Sequence, residues 1–224
     1  RLIRRQRQMC IRDRMPTGLY GARVAVRRVE SLDALPFPDR FADLVFCGHA
    51  QEAEGRRVTC PNGVTRVRGQ AQYRPKPPPG GGEWTHVYGR PDNSAYAGES
   101  LGGARSTDDL EVQWLGRPGP RYQADRNGRK PSPLAVNGRL FLQGLQRIIA
   151  VNVYNGTILW SREVPDFIRF NVPRDCSNWC ADDSSLYVAI GGKVHRLDAA
   201  TGRVVRTYSC LLYTSDAADE LDGV

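Results

Sequence analysis

The chain repeats itself, and this constrains its fold more than any other feature of the sequence. Displaced by 46 residues, Leu140-Phe141-Leu142 falls on Leu186-Tyr187-Val188 and Arg147-Ile148 on Lys193-Val194. Val151-Asn152 then meets Leu197-Asp198, Gly156 meets Gly202, and Ile158-Leu159 meets Val204-Val205, with no gap. Within a unit, residues 138–143 and 147–152 read as paired strands, and Ile190-Gly191-Gly192-Lys193 offers a tight hairpin turn. The turns at Asn155-Gly156 and Thr201-Gly202 lead into a further strand. A fixed period of about 40–50 residues, each unit a small antiparallel sheet, is the pattern of β-propeller blades.

Composition agrees with a β-rich chain. Of 224 residues, 23 are Gly and 15 Pro, against 8% aromatic, which favours turns over a helical bundle. No apolar run approaches the ~20 residues of a helical membrane span, so none is expected. The formal charge of +8 raises the question of a nucleic-acid partner.

The two ends bear on that charge. Residues 4–14 read RRQRQMCIRDR and residues 210–220 read CLLYTSDAADE. Written in one choice of codons, the first encodes CLLYTSDAAD on its opposite strand, a relation that unrelated protein termini have no reason to show. The DNA string is similar to the transposase adaptor of short-read sequencing libraries. Residues 1–14 and 210–224 are therefore expected to be adaptor artefact, and the chain a bacterial, metagenomic fragment of a longer gene. Residues 15–209 keep 26 basic and 19 acidic side chains, a net +7, and four cysteines: Cys47, Cys60, Cys176 and Cys180.

Three segments are expected between those ends. Residues 15–47 hold two β-rich runs, 23–29 and 42–47, around a loop with Pro36 and Pro38. Residues 48–82 read as a polar linker ending in RPKPPPGGG, stiff and then flexible. Residues 83–209 read as the partial propeller, about two blades.

Residues 83–160 resemble the opening of the quinoprotein dehydrogenase-like propellers, the pyrroloquinoline quinone (PQQ) repeat family. The resemblance is carried by Trp84, Tyr88-Gly89-Arg90, Asn93, Leu110 and Trp114, the last two on an expected first strand, and by residues 133–141 as a hairpin. The blade signature A-x-D/N-x-x-x-G-x-x-x-W is matched by Ala150, Asn152, Gly156 and Trp160; the second copy departs from it with Arg196, Asp198, Gly202 and Arg206. The resemblance implies a wheel of about eight blades with any ligand on its axis, and a Trp that docks on the next blade. Gly156 would permit the turn, Asn152 would bond turn backbone, and Trp160 would bury area at the seam. In the dehydrogenase branch it implies PQQ with calcium, held by an acidic residue and an Asn, with an Arg at the quinone and a catalytic Asp. No position here matches that set, nor the adjacent cysteines of that branch.

The wording Glu83-Trp84-Thr85-His86, Tyr154-Asn155-Gly156-Thr157 and Asn178-Trp179-Cys180-Ala181-Asp182 is similar to a bacterial subgroup in which a methyltransferase-like segment precedes the propeller. Leu35-Pro36-Phe37 and Phe41-Ala42-Asp43-Leu44-Val45 resemble the middle of a class I S-adenosylmethionine methyltransferase. That resemblance implies Glu30 to Asp33 near an adenine. The glycine-rich cofactor loop is absent upstream, and after Val45 residues 48–82 are too short and polar for the helix and strands expected, so the segment reads as a remnant.

The remaining candidates favour structure over chemistry. His49, His86 and His195 form no zinc-type spacing, and no Ser/His/Asp set presents itself. Cys176 and Cys180 are open to packed thiols, a disulfide or a metal pair, the last wanting a second pair. Residues 116–133 carry Arg117, Arg121, Arg126, Arg129 and Lys130, but in a Pro/Gly loop with only Tyr122 to stack on a base, so no nucleic-acid partner is expected. Asn155-Gly156-Thr157 matches a glycosylation sequon within a turn.

Taken together, the sequence reads as mainly β, a partial β-propeller after a truncated α/β methyltransferase-like piece. The expected function is a binding or scaffold module for a protein or small molecule, with no catalytic, cofactor or metal residues of its own. The alternatives are part of a PQQ- and calcium-dependent dehydrogenase, or part of a S-adenosylmethionine-dependent methyltransferase fused to a propeller. A periplasmic or envelope location is slightly favoured.

Overall fold

The computed structural model describes residues 25–116, 132–144, 146–167 and 177–209. Residues 1–14 and 210–224, most of the basic loop at 116–133, and Cys176 lie outside the described residues.

The repeat becomes two four-stranded antiparallel sheets, each a simple meander. The first comprises β3 (Leu134–Val136), β4 (Arg139–Gly144), β5 (Arg147–Asn152) and β6 (Ile158–Glu163). The second comprises β7 (Trp179–Ala181), β8 (Ser185–Ile190), β9 (Lys193–Asp198) and β10 (Val204–Ser209). Alternation explains which face each strand buries: in β4 Phe141 and Gln143 point inward, and in β8 Leu186 and Val188. The turn between β8 and β9 has positive φ at both Gly191 and Gly192, which suits the twist of a two-residue hairpin.

The sheets pack face to face and converge at β3 and β7. Leu134, Phe141, Ile148 and Ala150 of the first meet Trp179, Leu186, Val188 and Leu197 of the second in one core, with Phe167 between. Burying Phe141, Ile148 and Leu186 completely contributes roughly 1.5–3 kcal/mol per side chain. Two successive meanders stacked this way and converging at their first strands are two blades of a propeller. The fold is mainly β.

The segment before the blades differs from its expected form. Residues 25–29, read as a strand, run outside any sheet, and Val26 is 54% exposed. The second run is β1 (Ala42–Cys47), as read. Residues 48–82 are not all linker: a 3-10 turn (His49–Gln51), helix α1 (Glu52–Val58) and strand β2 (Thr59–Val67) follow at once. A seven-residue helix and one strand therefore follow Val45, where none was expected, and β2 pairs parallel with β1.

Ion pairing takes the place of apolar periodicity in this short helix. The Arg57 guanidinium donates to Glu54 Oε1 (2.6 Å), Glu54 Oε2 (2.8 Å), Asp39 Oδ1 (2.6 Å) and the carbonyls of Phe37 and Leu35. Pro61-Asn62-Gly63 form a bulge: β1 pairs Ala42 with Thr59 and then Leu44 with Val64. Residues 74–78 run extended outside any sheet and a turn at residues 79–80 follows.

Leu110 to Trp114, read as a first strand, also lie outside any sheet, apart from a capped 3-10 turn (Thr107–Asp109) just before them. No helix among the described residues is long and apolar enough to cross a membrane.

Candidate functional site

The four residues of the blade signature lie around one turn. Ala150 is fully buried on β5 beneath the second sheet. Asn152 ends β5; its Oδ1 accepts from the Tyr154 N–H (2.9 Å), and its carbonyl accepts from the Gly156 N–H (2.9 Å). Gly156 has φ +71°. A Cβ at Gly156 would lie 2.6 Å from Cζ3 of Trp114 and closer still to Cε3, so the position is closed to any side chain twice over, by backbone sign and by the ring.

Trp160 does not touch Gly156. Its indole lies 46 residues after that of Trp114 and repeats the same contact one blade on. Trp114 Nε1 donates to the Val153 carbonyl (2.8 Å), and Trp160 Nε1 donates to the Ala199 carbonyl (3.0 Å). A Cβ at Gly202 (φ +69°) would lie 2.7 Å from Trp160 Cε3. Asp198 takes the part of Asn152: its Oδ1 accepts from the Thr201 N–H (2.8 Å) and hydroxyl (2.7 Å). The Trp114 contact ties the preceding segment to the first blade, and the Trp160 contact ties the first blade to the second.

Asn152 and Asn155 also hold the N-terminal unit. Their Nδ2 groups donate to Asp43 Oδ1 (2.8 Å) and Oδ2 (3.1 Å), and Asn155 donates to the Phe41 carbonyl (2.9 Å). The Cys60 thiol donates to the same Asp43 oxygen (3.3 Å); burial, with Asp43 beside it, pushes this thiol up to about 11. Asn155 in the sequon is therefore engaged in an internal contact.

The chemistry-bearing cleft lies elsewhere, where sequence reading placed no site. The segment after residue 83 runs along the inner strands: Trp84 exchanges two backbone hydrogen bonds with Ala135 of β3, and the Thr85 carbonyl accepts from the Ala181 N–H of β7 (2.9 Å). This sets His86 over the second blade and leaves a cavity of about 290 Å³. Its polar wall is His86, Asn93, Ser177, Asn178 and Tyr187; Val87, Ala189 and Val194 supply apolar wall, and Trp179 and Cys180 complete it.

Among the described residues, Asn178 Oδ1 and Trp179 Nε1 are buried with no hydrogen-bond partner. Trp179 is only 4% exposed. An unmet buried donor or acceptor costs about 1–3 kcal/mol, and both of these residues line the cavity.

The other polar groups there are committed. His86 Nδ1 shares a hydrogen bond with Thr85 Oγ1 (2.8 Å). Burial, then the nearby Asp182 charge, raises the Cys180 thiol above its ordinary value and keeps it protonated and weakly nucleophilic. The Asp182 carboxylate accepts from Ser184 N–H (2.8 Å), Ser185 N–H (2.7 Å) and Tyr187 O–H (3.0 Å). Asp182 lies outside the cavity wall, and no Asp or Glu among the described residues lines it, so the residues present do not fit a calcium-held quinone. Among the described residues no three His, Cys, Asp or Glu side chains gather as a metal site.

His49 bonds Gln70 (3.1 Å) at the surface, and His195 bonds Thr207 (3.0 Å) across β9 and β10. Cys47, Cys60 and Cys180 are free thiols. Glu30 to Asp33 lie exposed before β1 and belong to no strand.

No family model matches the chain, and no curated protein matches it in sequence. Among solved structures it is similar to BamB from Moraxella catarrhalis, at 17% identity and TM-score 0.30, over 42% of this chain and 27% of that one. It is also similar to a quinohemoprotein alcohol dehydrogenase from Pseudomonas putida, at 19% identity and TM-score 0.42, over 57% of this chain and 19% of that one. A quinohemoprotein alcohol dehydrogenase from Comamonas testosteroni matches at 15% identity and TM-score 0.40, over 58% of this chain and 20% of that one. The chain thus spans less than a third of each of these structures.

Proposed function

We propose that the chain is part of a β-propeller serving as a binding module, and that the cavity beside β7 takes an amide group of a protein partner or small ligand. The observation that carries this reading is the pair formed by the Trp179 indole N–H and Asn178 Oδ1, buried and unmet on neighbouring residues. One supplies a donor and the other an acceptor on the wall of one cavity, and an amide offers one of each. The neutral Cys180 thiol, the engaged His86 and the committed Asp182 favour binding over catalysis. An envelope location goes with this reading.

The test is a titration of indole-¹⁵N-labelled protein with N-acetylalanine methylamide. The Trp179 indole resonance should shift saturably while those of Trp84, Trp114 and Trp160 stay in place. Asn178→Ala should weaken the response. If all four resonances are equally indifferent, or move together, the reading fails. Dye reduction by the chain with PQQ, calcium and an alcohol would replace it with the dehydrogenase alternative. The parallel β1–α1–β2 unit is what favours the methyl-transfer alternative, but no described residue there forms a glycine-rich loop or an acidic strand end for S-adenosylmethionine.

A further inference from the structure

The N-terminal unit carries a second cavity, about 460 Å³, that is independent of the first. It lies at the end of the parallel strands where β2 begins at Thr59, between the last turn of α1 and residues 74–79. Five cations and one carboxylate line it. Two of the cations are committed: Arg57 to Glu54 and Asp39, and Arg56 to Glu52. Asp39, the single acidic group in the wall, is itself neutralised by Arg57 at 2.6 Å. Arg40, Arg74 and Lys76 have no ion-pair or side-chain hydrogen-bond partner among the described residues.

Three further features make this a formed cleft. Arg40 has φ +56°, a left-handed backbone that costs a long side chain about 1 kcal/mol. It is held there by its N–H to the Arg57 carbonyl (2.8 Å), with the Phe41 N–H on the Val58 carbonyl (2.8 Å). The Arg56 guanidinium lies 4.3 Å from the centre of the Tyr73 ring, fixing one wall. The opposite wall contains Pro75, Pro77, Pro78 and Pro79, whose rings restrict the backbone that carries Arg74 and Lys76. A stiff backbone lowers the part of the ordering cost that falls on the main chain when these cations meet an anion.

We propose that this cleft binds a small, multiply charged phosphate-bearing anion through Arg40, Arg74 and Lys76. The volume suits a small molecule, and cations placed on two facing walls suit several anionic oxygens at once rather than one.

The experiment is calorimetric titration of the full chain with sodium tripolyphosphate at low ionic strength, with circular dichroism confirming each variant's fold. A single saturable site is expected, weakening as sodium chloride screens it. The triple variant Arg40→Gln, Arg74→Gln, Lys76→Gln should bind at least tenfold more weakly. A second triple variant, Lys193→Gln, Arg203→Gln, Arg206→Gln, removes the same charge from the second blade and should bind as the parent does. Equal losses in both would show an effect of net charge and overturn the site, as would no binding to the parent. Sedimentation with phosphatidylglycerol vesicles, abolished by the first triple variant alone, would show that the phosphate belongs to a lipid surface and overturn the small-molecule reading.

Discussion

Replacing Gly202 by Ala tests the seam between blades, with Gly192→Ala as its internal standard. Both glycines have left-handed backbones, φ +69° and +73°, so a Cβ costs each about 1 kcal/mol in backbone strain. At Gly192 nothing lies within 4 Å of the added Cβ, and the cost ends there. At Gly202 the Cβ would sit 2.7 Å from Cε3 and 2.8 Å from Cδ2 of Trp160, so the indole must leave. Its hydrogen bond to Ala199 goes with it, about 1 kcal/mol. A fully buried Trp is worth about 3–5 kcal/mol against Ala; Trp160 is half-buried and only displaced, so about 1 kcal/mol of packing is lost.

Gly202→Ala should therefore cost about 3 kcal/mol and Gly192→Ala about 1. Urea unfolding followed by far-ultraviolet circular dichroism measures both, at an unchanged dependence on denaturant. Repeating Gly202→Ala in a Trp160→Ala background should bring its cost down to about 1 kcal/mol, a coupling of about 2 kcal/mol. Equal costs for the two glycines, or the same Gly202→Ala cost in both backgrounds, would refute the seam.

Asp43→Ala removes the acceptor shared by Asn152, Asn155 and Cys60, and should destabilise the junction of the N-terminal unit with the first blade by about 1–2 kcal/mol, read as faster amide exchange in β1 and β2. The Arg57 hydrogen bonds, followed by the Leu35 N–H, hold the Glu54 carboxyl at about 2, below its ordinary 4.5. A depressed folded value gives stability that is present above pH 4.5 and lost as pH falls toward 2, so the parent should lose stability over that window faster than Glu54→Gln does in parallel acid titrations of unfolding. The buried Cys60 thiol, raised to about 11, should resist iodoacetamide at neutral pH until urea unfolds the chain, with modification located by peptide mass spectrometry.

Much of the repeat was legible because its signals are local. Strand alternation, a Gly-Gly hairpin and two Gly turns set the 46-residue spacing, and β4, β5 and β6 start 46 residues before β8, β9 and β10. The inner strands β3 and β7 were harder to see: with three residues each they have almost no period, and they start 45 residues apart. Helix α1 was invisible to hydrophobic patterning because Glu54 and Arg57, and Glu52 and Arg56, stabilise it by charge. The bulge in β2 was hidden because Pro61-Asn62-Gly63 has the composition of a turn. The cleft by β7 draws on residues 86–93 and 177–194, which only the fold brings together. The one signal within reach was Asn178-Trp179, two large polar-tipped side chains at the mouth of a strand.

The blade signature shows how residues close together within one repeat can be divided between two contacts in space. Ala150, Asn152, Gly156 and Trp160 look like one site because they are close in sequence. In space they belong to two seams: Gly156 receives Trp114 from the segment before, and Trp160 goes to Gly202 of the blade after. What repeats is thus a contact between neighbours, each Gly kept bare by the preceding Trp. Arg206 stands where the next Trp would be, and its guanidinium turns back over Tyr208 of its own strand at 4.9 Å. A guanidinium bound to its own strand cannot cover a Gly turn as an indole does. Whatever lies against β10 must therefore meet this blade through a different contact from the one that joins the first two.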